Sequence, residues 1–284
     1  MQMKEQFLTA DLIKRYADYL YEQEKAGSTV RQYSRNLAEL QLWLAERPLS
    51  KSRLIEWKQI LAGKYAAATV NAILAAVNGF LRYMRWSSMA VKLLKIQKSS
   101  FVDENRELSR EEYTRLVQTA ERQGNQRLSL VLQTICATGI RVSELKFITV
   151  DTIQTGRAEI ANKGKRRPVF LPEKLRRILK RYIQKQKITA GAVFVTRAGK
   201  PLDRTNIWRE MKGLCETAGV EPGKVFPHNL RHLFARIYYT LEKDLSRLAD
   251  ILGHSSINTT RIYTAESGIV HARQVERMGL VLTT

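Results

Sequence analysis

The sequence predicts a mainly helical α+β chain with one small β-hairpin, divided into two lobes. Three observations carry this. Apolar residues recur at helical spacing through most of the chain. Extended arms flanking a glycine turn stand out in one place, 157–171. The 284 residues are about twice an ordinary domain, and the periodicity lapses between 95 and 107.

Taken in order, Thr9 caps a first helix with Leu12, Tyr16, Tyr19 and Leu20 on one face, and Gly27 is its expected stop. Ser28 or Thr29 starts the second. Its Val30, Tyr33, Leu37, Leu40 and Leu44 step by three and four, an amphipathic stripe that Pro48 ends. A short helix around Leu54, Trp57 and Leu61 follows. Val70, Ile73, Leu74, Val77, Leu81 and Met84 then mark a long apolar one. These make an all-helical domain over 1–94. The polar, aperiodic stretch KIQKSSFVDENRE, 95–107, reads as a linker.

The second domain, 108–284, opens on a capping box in which Ser109 precedes Glu112 by three residues. Leu128, Val131, Leu132 and Ile135 belong to a helix ending near Gly139. The hairpin turns at Asn162-Lys163-Gly164-Lys165, and Pro172 is expected at the first position of the next helix. Val193-Phe194-Val195 suggests one more short strand. Helices are expected around 207–214, 229–239, 245–252 and 259–263, and a short apolar tail helix around Ile269, Val270, Val275 and Met278.

The formal charge is +21, and both parts carry it. Residues 1–100 hold 16 Lys and Arg against 8 acids, and the rest 32 against 19. Two basic lobes without a homopolymeric charged run suit a nucleic acid held between folded domains. Two cysteines, Cys136 and Cys215, exclude a disulfide scaffold and a thiolate zinc cluster. No apolar run approaches a membrane span, and the N-terminus lacks a secretory core, so a cytoplasmic location is expected.

Reactive side chains concentrate in four segments beside glycine turns: A-T-G-I-R-V-S-E-L with Arg141, the hairpin turn with Lys163, H-N-L-R-H with His228 and Arg231, and L-G-H-S-S-I-N-T-T-R-I-Y-T with His254 and Tyr263. Arginine forks match phosphate oxygens, a lysine can protonate a leaving alkoxide, and a tyrosine hydroxyl can attack phosphorus. Glu144 and Thr260 read as structural support. His228 and His232 have the spacing of a helical metal pair. No carboxylate or cysteine stands beside them in sequence, so His232 reads as a packing residue and no metal is expected.

In this order, these segments resemble the catalytic domain of the tyrosine recombinase (phage integrase) family. The T-G-x-R-x-S-E-L box, the H-x-L-R-H box, and the L-G-H box with a tyrosine nine residues on carry the resemblance. The helical N-terminal part is similar to the family's core-binding domain. The little sequence before it resembles the compact Xer-type layout, without an arm-binding domain. The resemblance implies catalytic roles for Arg141, Lys163, His228, Arg231, His254 and Tyr263, with neither cofactor nor metal. Tyr263 is then the nucleophile, Lys163 the general acid, and His228 either a base or a phosphate ligand. Lys163 is preferred to Lys165 because the family's lysine precedes the turn glycine. The implied partners are double-stranded DNA at a specific site and other copies of the chain, four on two sites, assembled through the tail helix. A type IB topoisomerase, with a similar residue set, is the alternative.

Overall fold

The computed structural model describes residues 5–96, 106–162, 165–196, 199–263 and 276–278. The chain forms two compact units, Met1–Lys98 and Ser99–Thr284.

Among its described residues, the first unit carries four α-helices. In α1 (Ala10–Glu22) the Thr9 hydroxyl accepts the Leu12 N–H, and Ile13, Tyr16 and Leu20 are buried. It ends before Gly27 because Glu24 takes a left-handed φ of 54° and the Lys25 N–H bonds back to the Leu20 carbonyl. Gly27 instead opens α2 (Gly27–Leu44), which stops at a left-handed Ala45, short of Pro48. Ser50 caps α3 (Lys51–Lys64). Leu54, Trp57 and Leu61 are its buried residues. The apolar α4 (Ala67–Tyr83) buries Val70, Ile73, Leu74, Val77, Phe80 and Leu81 at the centre of the core. The Asn71 and Asn78 amides then pin the extended segment at Leu94 and Val91.

In the second unit, α5 (Arg110–Arg122) starts on the reciprocal Ser109–Glu112 capping box. The core forms around α6 (Gln126–Thr138), whose Leu128, Leu130, Val131, Leu132 and Ile135 are all buried. After α7 (Val150–Thr155), β1 (Arg157–Asn162) and β2 (Lys165–Phe170) pair antiparallel, from Arg157↔Phe170 to Asn162↔Lys165. Pro172 is the N-cap of α8 (Glu173–Lys185), one residue earlier than expected. Val193 and Phe194 are buried in the core, but their neighbours make only isolated bridges, Thr149↔Ala192 and Val195↔Pro201. That apolar run reflects burial, not a strand.

Further described helices are α9 (Arg204–Ala218), α10 (Pro227–Glu242), α11 (Leu245–Leu252) and the single turn α12 (Ile257–Thr260). Short 3-10 turns at Val142–Phe147 and Arg261–Tyr263 carry functional candidates. Arg106 and Glu107, read from sequence as linker, are tied to α10 through Asn229 and His232. Except for the exposed Met278, the residues of the expected tail helix lie outside the described residues. No described helix is long and apolar enough to cross a membrane.

Candidate active site

Two glycines bring two helix ends against two arginines. Gly139 closes α6 at a φ of 64°, and a Cβ there would stand 2.5 Å from a Phe234 ring carbon. Gly253 closes α11 at 65°, and a Cβ there would stand 2.6 Å from the Arg167 side chain. Only glycine satisfies both the left-handed backbone and the close approach. The carbonyls at these ends lack helical partners and carry partial negative charge. Arg231 exploits this, donating from Nη1 to the Gly139 carbonyl and from Nη2 to the Leu252 carbonyl, both at 2.6 Å. Arg231 is 1 % exposed, the largest fully buried side chain described. Burial, and then Arg141, push its pKa down to about 10, so it remains a cation at neutral pH.

Glu144, also buried, holds Arg141. It accepts the Arg141 backbone N–H at 2.8 Å and Nη1 at 3.0 Å. Its Oε2 also accepts Arg167 Nη2 at 2.7 Å, and Arg167 Nη1 donates to the Ile251 carbonyl at 2.8 Å. Arg167 thus fastens the hairpin to both the Arg141 turn and α11. Burial pulls its pKa down, and Glu144 opposes that. Glu144 stands out in the sequence as support, whereas Arg167 does not. A signal exists: Arg167 pairs with buried Ile160 across the hairpin, and paired residues share a face.

His254 Nε2 lies 3.1 Å from Arg231 Nη2, and its Nδ1 lies 2.8 Å from the Thr260 hydroxyl. Arginine only donates, so Nε2 accepts and Nδ1 carries the proton toward Thr260. Burial, then Arg231 and Arg141, lower the His254 pKa to about 4. His254 therefore donates from Nε2 only after taking up a proton, which a bound phosphate anion favours.

Tyr263 is 6 % exposed. Its ring lies over His254 at 6.2 Å between centroids and edge-on to His232 at 5.0 Å, and His232 meets His228 at 4.7 Å. Burial raises the Tyr263 pKa, against the pull of the Arg231 charge. His228 keeps an exposed edge. Partial burial, then His232, Arg231, Arg141 and Arg204, bring its pKa down to about 4.

A cleft of about 430 Å³ is lined by Arg141, Ser143, Arg204, Trp208, His228 and Arg231 among others. A second, of about 870 Å³, is lined by Arg141 with Ile160, Arg166, Pro168 and His254. Arg141 borders both, and Tyr263 lines neither. Five of the six sequence-derived residues, Arg141, His228, Arg231, His254 and Tyr263, therefore converge. The sixth, Lys163, lies outside the described residues, in the two-residue connection between paired Asn162 and Lys165. The His228–His232 pair acquires a carboxylate that sequence proximity does not reveal: Glu107 stands 3.4 Å from His232 Nδ1. Among the described residues, no group of three His, Cys, Asp or Glu is placed to hold a metal ion.

Two guanidinium groups and two neutral imidazoles around a tyrosine form a site suited to a phosphodiester. The phage integrase family profile matches residues 106–268, more than half of the chain. The chain belongs to the phage integrase family. The family's N-terminal SAM-like domain profile matches residues 13–88. Tyrosine recombinase XerA of Pyrococcus furiosus is 26 % identical, over 98 % of this chain and 98 % of its own. Among solved structures, the XerH site-specific recombinase bound to its difH substrate before cleavage has a TM-score of 0.72 at 18 % identity. The match covers 99 % of this chain and 100 % of that one. A lambda integrase tetramer bound to a Holliday junction also gives 0.72, at 17 % identity, covering 89 % and 76 %. The chain is a site-specific tyrosine recombinase of Xer-like layout, and these relatives favour that reading over the topoisomerase.

The neutral His254 gives the recombinase a pH signature. An unfolded histidine takes up its proton near 6.5, whereas folded His254 resists until about 4. As pH falls through that window, the unfolded chain binds a proton that the folded chain refuses, so stability is lost. Chemical denaturation across pH 4 to 7 should show wild type losing stability relative to His254→Gln between about 6.5 and about 4. A pH-independent difference would contradict the neutral assignment.

Proposed function

We propose that Tyr263 attacks a scissile phosphate in double-stranded DNA, joins the 3′-phosphate and releases a 5′-hydroxyl. One phosphodiester is exchanged for another, so the energy of the broken bond is kept in the tyrosyl ester and no nucleotide triphosphate is needed. A partner strand's 5′-hydroxyl then reverses the step. The observation that carries this reading is the convergence of Arg141, Arg231, His228 and His254 on Tyr263. The arginines are aimed at the charge growing on the non-bridging oxygens. Both are already held by protein groups, so little reorganisation is needed when the transition state forms. His228, set among cations, orients the phosphate. His254 becomes a donor to it once protonated, and Lys163 protonates the leaving oxygen.

The partners proposed are a specific duplex site and further copies of the chain, four on two sites. The net charge of +21 supports a nucleic-acid partner, the XerH neighbour bound to its difH substrate supports a specific site, and the tetrameric lambda integrase neighbour supports the further copies. The test uses a pool of nicked duplexes with a randomised core and a denaturing gel. A protein–DNA adduct enriched on one recoverable sequence is the expected result. Cleavage that leaves free ends and no adduct would overturn the proposal.

Arg141→Lys keeps the charge but loses the fork that Glu144 holds. Adduct formation on the recovered duplex should slow by roughly 10²–10³-fold with little change in DNA affinity. A parallel fall in both would make Arg141 an ordinary phosphate-binding residue.

A further inference from the structure

The reaction needs a group to take the tyrosine's proton, and the position of His228 argues against it. A base must become a cation, and His228 faces Arg231, Arg141 and Arg204 as well as His232. One turn along α10, His232 has a carboxylate beside it. Its Nδ1 is 3.4 Å from Glu107 Oε1, and its ring is edge-on to Tyr263 at 5.0 Å. A carboxylate partner makes Nδ1 the donor and leaves Nε2 a bare lone pair. That Nε2 is buried and has no hydrogen-bond partner. An orphaned buried acceptor is costly in a folded protein and calls for a role.

We propose that Glu107 and His232 form a carboxylate–imidazole pair in which His232 Nε2 accepts the proton of the Tyr263 hydroxyl.

The inference rests on Tyr263 being the nucleophile. The phenolic proton moves to Nε2 as the Oη–phosphorus bond forms. The phosphorus–O5′ bond breaks, and O5′ takes a proton from Lys163. The reverse step returns both protons to Lys163 and Tyr263. Glu107 stabilises the imidazolium that forms and fixes the tautomer, as the buried carboxylate does for the histidine of a serine protease. Arg236, 3.5 Å from the other Glu107 oxygen, holds the carboxylate from the next turn of α10. Burial raises the Glu107 pKa, but His232 and Arg236 outweigh it and keep the carboxyl ionised. The hydroxyl and Nε2 are not yet bonded in the DNA-free protein. Catalytic hydrogen bonds commonly tighten only when substrate is bound.

The experiment measures the rate of adduct formation on the recovered nicked duplex, with and without added imidazole. His232→Ala should slow it by about 10²-fold or more. Imidazole should restore at least a tenth of the loss, because the small base fills the vacated space. His228→Ala should not respond to imidazole. Absence of rescue in His232→Ala, or rescue of His228→Ala instead, overturns the proposal. Glu107→Gln keeps the side chain's size and decides alone if His232→Ala does not fold. Slow adduct formation at unchanged DNA affinity upholds the pair, and a full rate overturns it. Tyr263→Phe is run alongside: an adduct persisting there would fail the underlying reading, whereas its loss with no imidazole rescue fails only this one.

Discussion

Tyr263→Phe should form no covalent adduct while binding DNA as wild type does. The change removes one oxygen and leaves the ring, so the packing against His254 and His232 survives. Arg231 hydrogen-bonds the hydroxyl, but it keeps its two backbone acceptors, the Gly139 and Leu252 carbonyls, when that oxygen is removed. The buried ring sits in the small cluster with Ala235, Leu248 and Leu252, which a phenylalanine fills equally well. Stability should therefore change little, and the whole effect should fall on the chemistry. Loss of a covalent nucleophile costs roughly 10⁴-fold or more, because the remaining groups have nothing to position for attack. The measurement is a denaturing gel on the nicked duplex, paired with a binding titration of the same variant. An adduct that survives would move the nucleophile to another hydroxyl. Loss of binding together with the adduct would make Tyr263 a structural residue.

The features legible in sequence were those whose causes are local. Thr9 and Ser109 cap helices from within three residues, and the α2 stripe needs only a count of three and four. The hairpin follows from its turn. The boundary errors were local too: a left-handed Glu24 made Gly27 a beginning instead of an end, which no residue preference announces. The site was legible as residues and order, but not as electrostatics. Arg231 reads as polar in sequence, yet it is buried because two helix C-termini separated by over a hundred residues supply its acceptors. Glu107 reaches His232 across 125 residues, so sequence proximity gave no hint of a carboxylate beside that histidine. Arg167 was visible only through strand register, which depends on where the hairpin turn falls. Charge burial is a tertiary event, and its partners are chosen by the fold.

The general acid is the other position with a large expected effect. Lys163→Ala should slow cleavage by roughly 10²–10⁴-fold, because a 5′-alkoxide leaves poorly without a proton. The hairpin register ends at Asn162↔Lys165, so Lys163 belongs to its two-residue connection. The base of the hairpin is fixed to the site by Arg167, and Ile160, Arg166 and Pro168 line the cleft that Arg141 and His254 share. A substrate with sulfur in place of the bridging 5′-oxygen separates acid catalysis from positioning. A thiolate leaves readily without a proton, so Lys163→Ala should cleave it nearly as fast as wild type. Arg141→Ala should stay slow, because its target is the non-bridging oxygens. Lys165→Ala controls for the neighbouring lysine and should cleave the ordinary substrate at close to the wild-type rate. If Lys165→Ala is the slow variant and the sulfur substrate restores it, while Lys163→Ala is not restored, the two lysines exchange roles. If sulfur restores neither, the hairpin positions DNA and the proton comes from another group.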